Sequence, residues 1–319
     1  MLRRFFNYIF LATIILFTLG CSSQNDDLKP LRIGMNIWPG YEPFALAKEN
    51  GFLDDNVKIS RILSATDVMK AFKSDIIDVA CITLDEALIY QDKNDEKIKI
   101  ITIMDFSTGG DVLIAKKEIQ SLKDLKGRLV GVESTALGLF MLTRILEFTP
   151  ELSIDDLRIV NLEYGHHENE FLQDNIDAVI TFEPVKTRLL QNSNAHVLFD
   201  STKIPGEILD VMVVKEKAIK TKKNAIKSMV DGWYKSVDYI SKNKAASISK
   251  MAGYENITTD EFKVAYQGIK VLSRDENIDF FESKLHKTIE KVERTLAEKM
   301  IIENKNLSKS LYSDLFLHK

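Results

Sequence analysis

The sequence predicts an α/β protein with two lobes joined by two crossing strands. From residue 31 onward, short runs rich in β-branched residues alternate with segments that repeat apolar residues at helical spacing. About 290 residues follow the N-terminal apolar run, which exceeds the usual size of a single hydrophobic core. No internal repeat or long linker interrupts the pattern, so two passages of the chain between the lobes are expected.

An export signal is predicted at residues 1–21. Arg3 and Arg4 give a positive start, residues 5–19 are almost wholly apolar, and the run closes at Cys21. A bilayer-spanning helix needs about 20 apolar residues, so this shorter run favours a cleaved signal over a membrane anchor.

Residues 17–21 resemble the lipobox of bacterial lipoproteins, in which a peptidase cuts before a cysteine that carries a diacylglycerol. The resemblance implies that Cys21 is lipidated. It departs at one position, because the usual leucine three places before the cysteine is Thr18 here and Leu19 stands one place late. Plain cleavage and an uncleaved anchor stay open as alternatives. Residues 22–30 are mostly polar and are expected to form a flexible tether.

The first part of one lobe is predicted at residues 31–111. Thr66 is expected to cap a helix there, and Gly51 to stop an earlier one. The expected strands are at residues 31–37, 57–63, 77–83 and 98–104, and the expected helices at residues 41–50, 66–74 and 86–90.

The second lobe is predicted at residues 112–209, and at about 95 residues it has the size of a domain. Its expected strands are at residues 129–132, 158–162, 178–182 and 196–199, and its expected helices at residues 136–148, 169–174 and 184–191. The strand-like run 208–214 would return the chain to the first lobe. Residues 210–319 then complete that lobe with helices to the end of the chain, where apolar residues recur with a period of 3.6.

Composition excludes several classes of function. The chain carries 43 Lys and Arg against 47 Asp and Glu, a formal net charge of −4, and has no basic cluster, so no nucleic-acid partner is expected. Its only cysteines are Cys21 and Cys81. A lipidated Cys21 leaves no intramolecular disulfide, and Cys81 is expected to be a buried strand thiol. His166 and His167 have no third histidine at ligand spacing, so neither a metal site nor a cofactor is predicted.

Three segments are similar, in the same order, to the nitrate, sulfonate, taurine and thiamine-pyrimidine group of periplasmic binding proteins. They are IWPGYEP at residues 37–43, SLKDLKG at 121–127 followed by VGVE at 130–133, and DAVITFEP at 177–184. The resemblance implies the type II periplasmic-binding-protein fold and a small-molecule solute. It also implies a monomer on the outer side of a bacterial membrane that delivers the solute to an ABC permease with its ATPase.

Candidate ligand-binding residues follow the predicted strands, because ligands of open α/β sheets bind beyond the carboxyl ends of strands. Trp38 and Tyr41 can stack on a planar ligand or a cation, and packing at the rim of the lobe is the alternative. Asp85 and Glu183 offer carboxylates. Helix capping is the alternative for Asp85, and interaction with the helix dipole is the alternative for Glu183.

Further candidates lie at the lobe crossing and at the start of a long helix. Gly109 and Gly110, next to Asp111, would let backbone amides approach a ligand, and a simple turn is the alternative. Ser134 and Thr135 offer hydroxyls and N–H groups that can hold a solute oxygen, and capping is again the alternative.

This set contains aromatics, hydroxyls and carboxylates but no Arg or Lys, so the predicted solute is an amine or another nitrogenous donor. A sulfonate or nitrate held by the amides at residues 134–135 is the first alternative. A ligand-sensing input to a membrane signalling protein is the second. A pyrimidine-precursor synthase is the third, but the export signal and the lack of a paired nucleophile and base argue against an enzyme.

Overall fold

The computed structural model describes residues 29–134, 137–304 and 306–318. The predicted signal at residues 1–21, with Cys21, lies outside these ranges, as do residues 22–28 of the predicted tether and Thr135. No helix in the described part of the chain is long and apolar enough to cross a membrane.

Eleven strands within the described ranges form two sheets. They are β1 (Leu31–Met35), β2 (Val57–Arg61), β3 (Val79–Thr83), β4 (Ile98–Ser107), β5 (Asp111–Lys116), β6 (Leu129–Val132), β7 (Arg158–Asn161), β8 (Ala178–Phe182), β9 (Ala195–Asp200), β10 (Leu209–Lys215) and β11 (Ile269–Val271).

Helices cover both sheets. They are α1 (Pro43–Glu49), α2 (Ala65–Lys73), α3 (Leu84–Asp92), α4 (Leu137–Glu147), α5 (Tyr164–Leu172), α6 (Val185–Asn192), α7 (Glu216–Thr221), α8 (Lys223–Lys242), α9 (Lys244–Glu255), α10 (Thr259–Gln267), α11 (Arg274–Ser283) and α12 (Leu285–Glu298).

The first sheet has the strand order β11-β4-β10-β3-β1-β2. β1 is parallel to β2 and β3, whereas β10 is antiparallel to β3 and β4. β3 and β10 are buried at every residue. Central strands covered on both faces need apolar residues without alternation, and the sequences VACIT and LDVMVVK supply them except at Thr83, Asp210 and Lys215.

The second sheet has the strand order β7-β6-β8-β5-β9. β6 is parallel to β7 and β8, and β5 is antiparallel to β8 and β9. The α/β class and the two-lobed arrangement predicted from the sequence are therefore confirmed.

Two short segments join the sheets. β4 ends at Ser107 in the first sheet and β5 begins at Asp111 in the second, while the return runs from Asp200 to Leu209. The sequence predicted two strands that cross between the lobes. In the structure each strand stays within one sheet, and the chain crosses in the connections between strands. The Oγ atoms of Ser107 and Ser201 lie 2.8 Å apart, which ties the two connections together.

Three local predictions were wrong. Ser64, and not Thr66, caps α2, since the Ser64 Oγ accepts a hydrogen bond from the Asp67 N–H at 3.2 Å. The helix predicted at residues 169–174 begins earlier, at Tyr164. Tyr164 is buried and is the first residue on the buried face of this helix. The chain is also not helical throughout after β10, because β11 pairs with β4 at the sheet edge. A strand of three residues is too short to give a periodic signal.

Candidate functional site

A narrow cleft lies between the two sheets. The first sheet lines it with residues that follow β1 and β3 and with Asp210 of β10. The second sheet contributes Asp111, the start of α4 and the end of β8. This is the position at which open α/β sheets bind ligands.

Trp38 forms part of one wall of the cleft. Its indole Nε1 donates to the Asp105 carboxylate, at 3.2 Å from Oδ1 and 3.3 Å from Oδ2. The ring meets Phe182 edge to face across the cleft, with centroids 5.9 Å apart. Gly110 packs on the indole so closely that a Cβ there would lie 2.6 Å from Trp38 Cη2. The wall thus combines residues of both sheets.

Tyr41 is fixed by a carboxylate at the base of the cleft. It ends a 3-10 turn at residues 39–41, and its hydroxyl donates to Asp210 Oδ1. The strand register places Asp210 opposite Thr83 on one side and Asp105 on the other. Burial and the neighbouring Asp210 charge raise the pKa of Tyr41 well above its usual value, so the phenol stays protonated.

Four carboxyl groups line the cleft, and none of its described lining residues is Arg or Lys. They belong to Glu86, Asp111, Glu133 and Asp210. Burial raises the pKa of Asp111 to about 7, although a hydrogen bond from Ser107 acts in the opposite direction. Burial and repulsion by Asp105 raise the pKa of Asp210, and burial raises the pKa of Glu133.

One of these acids has an oxygen without a partner in the described part of the chain. Asp111 Oδ2 is shielded from solvent and accepts no hydrogen bond there. An unmatched buried carboxyl group costs several kcal/mol unless it is protonated or meets a cation or donor. The cleft is therefore chemically complementary to a cationic or donor-rich molecule.

Two hydrogen bonds join the lobes at the cleft. The Thr66 hydroxyl of α2 donates to Glu133 Oε1 at 2.8 Å. The Leu137 N–H, at the start of α4, donates to Glu86 Oε1 at 3.3 Å. Glu86 also accepts from the Thr83 N–H at 2.9 Å, so its carboxylate bridges the third strand of one lobe and a helix of the other.

Of the sequence-predicted residues, the structure brings Trp38, Tyr41 and Asp111 together in the cleft lining. Asp85 is fully buried beside the lining without forming part of it. Glu183 acts within its own segment, since Oε2 accepts from the Thr187 N–H at 3.1 Å and Oε1 lies 3.0 Å from Lys186 Nζ.

The predicted backbone donors already have partners within the protein. The Gly109 N–H donates to Ser201 Oγ at 2.7 Å, and the Gly110 N–H donates to the Gly268 carbonyl at 3.1 Å. The Ser134 N–H donates to Asn161 Oδ1 at 3.1 Å. Ligand contact by Gly109, Gly110 and Ser134 stays a prediction, and Thr135 lies outside the described residues.

The sequence reasoning missed several acids of this region. Asp105 and Asp210 are the only acids of the mostly apolar strands β4 and β10, and a lone acid in a buried strand is the signal that would have marked them. Glu86 looked like an ordinary N-terminal helix residue. Its contact with α4 depends on how the two lobes meet, which the local pattern does not contain.

The histidine pair divides between surface and core. His166 is exposed, while His167 is buried, with its ring nitrogens 3.1 Å from Thr181 Oγ1 and 3.0 Å from the Leu162 carbonyl oxygen. Burial lowers the pKa of His167 to about 4, so its ring is neutral. Cys81 is fully buried in β3, where burial raises the pKa of its thiol.

The acidic cleft should make the ligand-free protein less stable as the pH rises. Raised carboxyl pKa values mean that the folded state binds more protons than the unfolded state, so unfolding releases protons. Between pH 5 and 8 we expect a loss of up to about 1.4 kcal/mol per pH unit for each group that titrates. Urea unfolding across this range measures it. Asp111→Asn should flatten the slope, and stability that rises with pH would contradict the assignment.

The family follows from a comparison with known families. The model of the family described as NMT1/THI5 like matches residues 38–247, more than half of the chain. The chain belongs to the NMT1/THI5-like family. The matched range of this NMT1/THI5-like chain contains Trp38, Asp111 and Asp210. A search of curated proteins found no match.

Solved structures show the same fold at low identity. The alkanesulfonate-binding protein SsuA from Xanthomonas axonopodis pv. citri, bound to MOPS, has a TM-score of 0.74 and 13% identity, with 89% of this chain and 99% of that chain covered. A ligand-binding component of an ABC-type import system from Staphylococcus aureus, with zinc bound, has a TM-score of 0.75 and 13% identity, covering 90% and 98%. The desulfurization enzyme DszB has a TM-score of 0.67 and 14% identity, covering 90% and 97%. The NMT1/THI5-like chain therefore has the type II periplasmic-binding-protein fold, which solute-binding proteins and an enzyme share.

Proposed function

We propose that the protein is a lipid-anchored, extracytoplasmic solute-binding protein that captures a small amine or other donor-rich nitrogenous solute and delivers it to an ABC importer. Residues 31–111 with 210–319 form one lobe, residues 112–209 form the other, and the solute lies between them. Family membership and the fold of solved import components support the transport role.

The charge of the cleft is the observation that supports an amine or other nitrogenous donor as the solute. Four buried carboxyl groups line the cleft, and its described lining contains no Arg or Lys. A sulfonate or nitrate placed there would meet like charge without an Arg or Lys to offset it. An ammonium or amino group would instead satisfy Asp111 Oδ2, and the rings of Trp38 and Phe182 would cover its apolar part.

Calorimetric titration with a panel of amines and aminoheterocycles, against taurine, MOPS and nitrate, tests this proposal. We expect binding by members of the first group only. At pH 6, a cation that lowers the carboxyl pKa values releases protons, and titration in two buffers with different ionisation enthalpies measures that release. Tight binding of taurine or nitrate with proton uptake would mean that the solute class is wrong.

A sulfonate is the second candidate solute. SsuA, which has the same fold, binds an alkanesulfonate, and the start of α4 directs the Leu137 N–H at the Glu86 carboxylate. An anion could take that position only by displacing Glu86. The Glu86 carboxylate therefore favours binding of an amine over binding of a sulfonate.

We also propose that the protein is not an enzyme, although DszB has the same fold. Cys81 is the only cysteine within the described residues, and it is fully buried with a raised thiol pKa. His167 lines the cleft, but burial lowers its pKa to about 4, so it is a weak proton acceptor near neutral pH. A buried thiol and a weak base do not suit catalysis, and purified protein should leave bound solute unchanged.

Lipidation of Cys21 should decide where the protein is found. Replacing Cys21→Ala removes the sulfur that would carry the diacylglycerol, so we expect the variant to leave the membrane fraction. Fractionation with N-terminal sequencing measures this, and Cys81→Ala is the matched control that should stay in the membrane. A Cys21→Ala protein that stays in the membrane with its N-terminus intact would show a helical anchor instead.

A further inference from the structure

A second pocket lies between the helices of the two lobes and has a volume of about 710 Å³. Its lining includes the end of α9 and the start of α10 on one side and Pro184 and Arg188 on the other. Tyr164 of this pocket stacks on Phe182 of the cleft at 4.2 Å between centroids, with 7° between the ring planes. The stacked pair separates the two spaces.

Glu255 is the feature of the second pocket that lacks an explanation within the protein. Both of its carboxylate oxygens are shielded from solvent, and neither accepts a hydrogen bond from a described residue. Burial and repulsion by Glu42 raise the pKa of Glu255 well above its usual value. A cation that donates hydrogen bonds would stabilise a buried carboxylate of this kind.

The arginines that influence Glu255 are already paired with other acids. Arg61 binds Glu42 through both of its terminal nitrogens. Arg188 donates from Nε to Glu168 Oε2 at 2.7 Å. Neither arginine forms a hydrogen bond to Glu255, so both carboxylate oxygens are left without a partner among the described residues.

The other lining residues restrict what that donor can be. Ile37, Tyr164, Pro184 and Ile257 provide apolar and aromatic surface, which suits an alkyl or aryl group. Arg188 and Glu261 also line the pocket, and a hydrogen bond from Thr258, aided by the Arg188 charge, lowers the pKa of Glu261. The charges of Arg188 and Glu261 offset each other, so a second cationic group on the same ligand would find no unpaired acid there.

We propose that the second pocket is a ligand site in which Glu255 binds the ammonium group of a small organic monocation with an apolar body. This site is distinct from the cleft, and it does not depend on which solute the cleft carries.

Calorimetric titration with butylammonium and with putrescine tests the proposal, because the two have the same number of carbons and differ by one charged group. The Asp111→Asn protein is used as the background, so that binding in the cleft is weakened. We expect butylammonium to bind this background more tightly than putrescine does. Adding Glu255→Gln should weaken butylammonium binding at least about 10-fold, since a charge-assisted hydrogen bond is lost.

Glu282→Gln is the matched control. Glu282 is an exposed acid on α11 and does not line the second pocket, so butylammonium binding should be unchanged. Urea unfolding of each variant confirms that it is folded. Absence of butylammonium binding, equal binding after Glu255→Gln, or tighter binding of putrescine would each overturn the proposal. Failure of the cleft to bind amines would leave these outcomes unaffected, because they are measured in the Asp111→Asn background.

Discussion

Replacing Asp111→Asn is expected to weaken binding of an amine solute by about 10- to 150-fold, the effect of losing a charge-assisted hydrogen bond of about 1.5–3 kcal/mol. Asp111 lies in the cleft with Oδ2 shielded from solvent and without a hydrogen-bond partner among the described residues. Asparagine has the same shape but no charge, so the folded protein should be at least as stable as the wild type. Calorimetric titration with the tightest-binding amine measures the change.

The pH dependence of binding gives this variant a second, independent readout. Burial raises the pKa of Asp111 to about 7, so the wild-type protein should release protons when an amine binds near pH 6, and Asp111→Asn should release fewer. Asp279→Asn, which changes an exposed acid on α11, is the control and should behave as the wild type. Unchanged affinity and unchanged proton release in Asp111→Asn would place the solute elsewhere.

Replacing Gly40→Ala is expected to destabilise the fold by about 1–3 kcal/mol, the usual cost of overpacking a filled site, and to abolish tight solute binding. A Cβ on Gly40 would lie 2.2 Å from Asp105 Oδ2 and 2.4 Å from Trp38 Nε1. Both side chains are buried, so the added methyl group must push the indole away from its acceptor. Urea unfolding and calorimetric titration measure the two effects.

Gly253→Ala is the matched control for this substitution. A Cβ at Gly253 would meet no atom within 4 Å, and alanine within α9 is favoured over glycine by about 1 kcal/mol. We expect this variant to be as stable as the wild type or more stable. If Gly40→Ala were equally stable and bound solute normally, Trp38 and Asp105 would not be fixed as the structure indicates.

The strands that the sequence predicted best are those that are buried and short. Residues 129–132 and 178–182 were predicted with the bounds that the structure gives, because apolar runs ended by turn residues mark buried strands directly. Helix boundaries were less predictable. Ser64 and Thr66 are both good caps by residue type, and the choice depends on which backbone N–H each side chain can reach.

The candidate site was predictable only where it follows one strand. Trp38, Tyr41 and Asp111 lie next to strand ends that the local pattern reveals. Asp105 and Asp210 face each other through the register of β4 and β10, a pairing across about a hundred residues that local patterns do not contain. The sequence left open whether Glu183 would meet a ligand or its own helix, and in the structure it accepts from the Thr187 N–H of that helix. No local signal showed that Glu86 would reach the opposite lobe.

Native mass spectrometry of protein purified from its own cells, without denaturation, tests the central claim most directly. If the cleft carries an amine or a donor-rich nitrogenous solute, the spectrum should show the protein with one added small molecule whose mass and fragments contain nitrogen. Glu86→Gln with Asp111→Asn should lose that mass. Co-purification of a sulfonate or another anion, retained by this double variant, would contradict the account.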